Sequence, residues 1–261
     1  MSVRVVALAV TVSALVAGCS GATSPVAHAR TPLARPETTS SSSPDIVIAE
    51  TVQRWGRDVG VNVLRETRRV QSRVDRLLHS KPVPITISVG PVVGQTGVGG
   101  VTDGGTGAVS ISVATTSPLP RHAVLAIQLR RTLAHELDHA ARDTAGPGYG
   151  STLLDSIVSE GLADNFATSL YPNSLAPWTH SLTLRQEHRF WKRATQHLYE
   201  VLSRPNPYNH WMFGGGAFPH WTGYTLGDDL VAAAHHRHPR SWAWFTRQSS
   251  DDILKLSHFS A

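Results

Sequence analysis

Two pairs of metal-ligating residue types, each spaced i and i+4, stand on successive helical stretches. His135 and His139 lie in LAHELDHAARD, and Glu160 and Asp164 lie in SEGLAD. This constrains the fold more than any bulk property. Residues four apart sit one turn above each other on the same helix face. A fold that uses both pairs must lay the two helices side by side, with imidazoles and carboxylates at their contact.

Each helix carries its own boundary signals. Leu125, Leu129, Leu133 and Leu137 recur every four residues as a core stripe. Ile127, Arg131, His135 and His139 form a second stripe about half a turn away. AGPGYG ends this helix with glycine and proline. Thr152 with Asp155 forms a capping box that opens the next. Gly161 adds no side chain and is expected to let these two helices approach closely.

His-Glu-x-x-His on a helix aims two imidazoles at one ion, with the intervening glutamate beside them. A catalytic zinc takes three protein ligands and keeps a fourth position for water. Glu160 is the expected third ligand, Glu136 the general base, and Asp164 an acceptor for the non-ligating nitrogen of a zinc histidine. The competing reading is a pair of core histidines and a surface carboxylate pair that bind nothing.

HELDHA, SEGLAD and GYTLGDDLV resemble the gluzincin pattern of thermolysin-like metallopeptidases. More narrowly, they are similar to the YjaZ-like family of unknown function, predicted to be zinc-dependent proteases. The resemblance covers roughly residues 120–235. It implies one zinc ion held by His135, His139 and Glu160, with Glu136 as base and Asp164 behind the ligands. The implied fold is α+β and mainly helical, zincin-like, with a small sheet and an active-site helix pair.

The rest of the chain divides into three parts. Residues 1–18 hold one basic residue, Arg4, and an apolar run from Val5 to Ala17. That suits an export signal and is too short to span a membrane. LVAGC resembles the lipobox of bacterial lipoproteins, which implies that Cys19 is acylated. Residues 19–44 are rich in Ser, Thr, Pro and Ala and read as a tether. Residues 45–261 are the expected peptidase domain. Cys19 is the chain's single cysteine, so no internal disulfide braces that domain.

Within the domain, residues 45–80 read as one long or broken helix, with Gly60 as the candidate break. Residues 83–90 and 108–115 alternate as two strands of one sheet. The glycine-rich stretch between them reads as a flexible connection, because it lacks the residues of a phosphate-binding loop. Further helices are expected over 182–203, 220–238 and 239–256, with a loop at 204–219.

The expected chemistry is peptide hydrolysis at the cell envelope, with a peptide or protein as substrate and the membrane engaged through Cys19. Two alternatives stay open: a non-catalytic envelope lipoprotein with a structural zinc, and a zinc amidase acting on cell-wall peptides. Tyr224 and His220, spaced i and i+4, are the candidate oxyanion donors. The strand at 108–115 is a candidate edge for an extended substrate. His235, His236 and His238 read as solvated residues at a helix end. The formal charge of +5 is mild, and no nucleic-acid-binding motif accompanies it.

Overall fold

The computed structural model describes residues 45–92, 95–202 and 206–259. The apolar run, Cys19 and the tether lie outside the described residues. The described part opens with β1 (Ile46–Ile48), α1 (Glu50–Gln53) and α2 (Arg57–Leu78), followed by β2 (Ile85–Gly90), β3 (Val98–Thr102) and β4 (Val109–Ala114). A short α3 (Arg121–Ala123) runs through a π-helical turn into α4 (Leu129–Ala145). Then come α5 (Leu153–Leu170), α6 (Leu184–Ala194), α7 (Asn206–Phe213), α8 (Thr222–Arg237), α9 (Trp242–Phe245) and α10 (Ser250–Ser257). The fold is α+β and mainly helical, as expected.

The sheet order is β1-β2-β4-β3, with β1, β2 and β4 parallel and β3 antiparallel to β4. Alternation explains its buried face: Ile85 and Ile87 on β2, and Val109, Ile111 and Val113 on β4, are buried. They meet Leu129, Leu133 and Leu137 of α4 and Val63, Val70 and Val74 of α2 in one core. A second core joins α5 to the later helices through Ile157, Leu162, Leu226, Leu230 and Phe245. Helix α5 belongs to both, with Phe166 in the first core and Leu162 in the second. The seam between α4 and α5 is therefore enclosed from two sides.

Several expectations are corrected. The first helical stretch breaks at Gly56, whose φ of 129° suits glycine, whereas Gly60 is helical and buried inside α2. The glycine-rich connection contains β3, so β4 is internal and cannot be the free edge. The stretch 182–203 is helical only to Ala194. Beyond it the backbone turns to serve the start of α5, where Leu153 and Leu154 N–H donate to the carbonyls of Glu200 and Leu198. The expected loop at 204–219 holds α7. Gly161 does ease a close approach, but of α5 to α8 rather than to α4: a Cβ there would strike the Gly227 carbonyl, and one on Gly227 would strike that of Ile157.

Candidate metal centre

The i, i+4 spacing on α4 brings His135 and His139 together as expected. Their Nε2 atoms lie 3.1 Å apart. Glu160 Oε2, from α5, lies 3.2 Å from the first and 3.5 Å from the second. All three residues are buried. They form the one group of potential ligands of this size among the described residues, with their nearest ligand atoms within 4.8 Å of one another.

Surrounding contacts fix these atoms. Asp164 Oδ1 lies 3.0 Å from His135 Nδ1, accepts from Arg131 Nη2 at 2.8 Å, and accepts from Trp178 Nε1 at 2.9 Å. Nδ1–H donates to Asp164, which turns His135 Nε2 to face the cluster. Ser159 Oγ stands 3.5 Å from His139 Nδ1. Tyr149 OH donates to Glu160 Oε1 at 2.7 Å and is itself 2.9 Å from Tyr208 OH. Glu160 Oε2 is buried and makes no hydrogen bond of standard geometry, its polar neighbours being the two imidazole nitrogens. A buried carboxylate oxygen met only in this way is left short of positive charge.

Titration behaviour expresses the same demand for positive charge. Burial opposes charge on His135, but Asp164 and Glu160 outweigh it and raise its pKa well above the usual range. Burial likewise disfavours the Glu160 carboxylate, and His139 and His135 reverse this, holding it well below its ordinary value. Burial first, and then the Glu160 charge, push both Tyr149 and Tyr224 well upward, so both phenols keep their protons.

Two imidazoles and a carboxylate converging on one point suit zinc, and Glu160 Oε2 is the atom a cation would satisfy. Glu136 sits between the histidines on α4 and is also buried. Its Oε2 accepts from Thr102 Oγ1 of β3 at 2.8 Å. Gly100 of β3 passes so close that a Cβ there would stand 2.5 Å from Glu136 Cγ. The glycines of VGGVT thus make room for the carboxylate.

The two oxyanion candidates part company. Tyr224, in the first turn of α8, packs beside Trp178 and Phe213 with ring centroids 6.5 Å and 6.2 Å away. Its hydroxyl feels Glu160, Tyr208, Asp164 and Glu136. His220 is exposed and lies ahead of the helix, before Trp221 in the left-handed conformation. The expected helical pairing with Tyr224 is not formed, and the His220 ring packs on Trp221 instead. His235 stacks on Trp242 at 4.4 Å, apart from any group of ligands among the described residues.

Arg131, Trp178 and Tyr149 are not legible as site residues, whereas Tyr208 is legible as one of an aromatic group, with His210, Trp211 and Trp221, that could line a pocket or the core. Arg131 shares the histidine stripe and could have been found by following it one turn back. Tyr149 lies in the AGPGYG terminator, where Gly148 and Gly150 take φ values of 80° and 79° and turn the chain back over the histidines. Its ring centroid is 5.5 Å from that of His139.

No curated protein and no solved structure matches the chain. A family model does, over residues 72–255, which include both helices and every residue of the cluster. The chain belongs to the family described as predicted Zn-dependent protease (DUF2268).

Proposed function

We propose that this protein is a zinc-dependent peptidase whose metal is held by His135, His139 and Glu160, with Glu136 as the general base. One observation carries the reading. Three buried donor atoms, two imidazole nitrogens and a carboxylate oxygen, converge directly beside a glutamate tied to the sheet. Zinc bound there would act as a Lewis acid, lowering the pKa of a coordinated water to about 7 and polarising a carbonyl.

The protein's own groups supply the rest. Glu136 takes a proton from the attacking water and returns it to the leaving amine. Thr102 holds one of its oxygens, so the other is the one that moves the proton. The outer edge of β3 offers backbone N–H and C=O groups to an extended peptide beside Glu136. The Tyr224 hydroxyl, kept protonated by burial, is the donor for the developing oxyanion. Asp164, clamped by Arg131 and Trp178, sets the tautomer of His135. A donor group of three protein residues favours a catalytic site over a structural one, which would be closed by a fourth.

We also propose that the chain is exported and anchored to the membrane through an acylated Cys19, facing the extracytoplasmic side. Loss of lipid labelling in Cys19→Ser is the expected result, and label persisting in that variant contradicts it.

The direct test of mechanism is Glu136→Gln, which keeps size and hydrogen bonding but removes the base. Cleavage in an unbiased peptide library should fall by about 100-fold or more with zinc retained. Parental cleavage at full zinc occupancy would sink the mechanism.

A further inference from the structure

Helix α2 has two unlike faces. Val63, Thr67, Val70, Gln71, Val74 and Leu78 are buried against the sheet and α4. The opposite arc, by the 3.6-residue period, carries Arg57, Arg65, Arg68, Arg69, Arg73 and Arg76, all exposed. Asp58 lies within that arc and Asp75 at its rim, at the same helical azimuth as Arg57. Nearby acids are already engaged: Glu66 pairs with Arg130 at 2.8 Å, and Asp75 accepts from Ser80 at 2.9 Å. Among the described residues none of the six arginines is in an ion pair. A 22-residue helix thus presents a straight basic face about 33 Å long.

The same face has an apolar component at its start. Val61, 56% exposed, lies among the arginines. Together with Ile48, Leu64 and Gly60 it lines a groove of about 350 Å³ that Arg57 and Gln53 border. A cationic stripe beside a small apolar groove matches the boundary between headgroups and acyl chains. It matches a single-stranded nucleic acid poorly, because no aromatic residue lies on the arc to stack a base. The groove also lies at the start of the described residues, since Ile48 belongs to β1.

We infer that the arginine face of α2, with the groove at its N-terminal end, docks the domain on an anionic phospholipid bilayer. This goes beyond the peptidase reading and stands or falls without it. Phosphodiester headgroups pair with the guanidinium forks, and Val61 with the groove accepts the shallow apolar part of the leaflet.

The test uses the full chain with Cys19→Ser, so that an introduced cysteine is the only thiol. A polarity-sensitive fluorophore is placed at Ser72→Cys, exposed in the middle of the arc, or at Lys255→Cys, exposed on α10. Each protein is mixed with phosphatidylcholine vesicles, with or without phosphatidylglycerol. The expected result is a blue shift at position 72 only, requiring phosphatidylglycerol and weakened by salt. Neutralising Arg65, Arg68, Arg69 and Arg76 to Gln should weaken vesicle binding by more than about 100-fold, near five-fold per arginine. Circular dichroism should show an unchanged fold. If that variant fails to fold, Arg68→Gln with Arg69→Gln should still cost about 25-fold. Equal shifts at both positions, a shift on pure phosphatidylcholine, or preferential binding of double-stranded DNA over the anionic vesicles would each overturn the inference.

Discussion

Two regions of this molecule meet at the same buried point and are built in opposite ways. The α4–α5 pair supplies His135, Glu136, His139, Glu160 and Asp164 from regular helix, brought to one seam by the helical period. The irregular region, from the 146–150 turn through α7 to the first turn of α8, supplies Tyr149, Tyr208 and Tyr224. Those phenols reach the cluster only through left-handed glycines and packing between distant segments. Regular elements hold the groups whose mutual geometry must be fixed. Turns and short helices hold the neutral donors around them.

If that division of labour is right, damage to the two regions should separate in kind. Tyr224→Phe deletes one hydroxyl from the irregular region and keeps the ring beside Trp178 and Phe213. Its cost should be the largest there, about 100- to 1,000-fold in kcat with KM and zinc content unchanged. His220→Ala should leave peptide cleavage at the parental level in the same assay. The reverse ranking would transfer the oxyanion role to the histidine and break the comparison.

Asp164→Asn acts on the regular region. It weakens the acceptor that holds His135 Nδ1, so zinc affinity measured by chelator competition should drop about 10- to 100-fold. Tyr149→Phe is the smallest of the three. It frees Glu160 Oε1 while leaving the ligand on its helix, and a loss of about 10-fold in zinc affinity is expected. A Tyr149→Phe loss as great as that of Asp164→Asn would show that the irregular region aims ligands too.

Legibility in the sequence follows the same line. The His135/His139 and Glu160/Asp164 pairs and the Thr152 capping box each lie within one helix, so spacing reveals them. The strand alternation of 85–90 and 109–114 is equally local. Strand order is not local, and the free edge falls on β3 rather than β4. VGGVT hides that strand because glycine is a poor strand former. Its role is spatial: Gly100 leaves room for Glu136, which lies on another element. Gly161 shows the same limit. Its small size was evident, but its partner, Gly227, follows only once α8 is placed. Tyr149 sits between two glycines that read as punctuation, and its hydrogen bond to Glu160 spans a turn that no periodicity describes.

The proposed site of His135, His139 and Glu160 holds one zinc ion, and elemental analysis of the purified full chain beside Glu160→Ala measures it. One zinc per parental chain is expected, with loss of that zinc in the variant, since two histidines alone make an incomplete site. Zinc absent from a folded parent, or retained at full stoichiometry by Glu160→Ala, would contradict it.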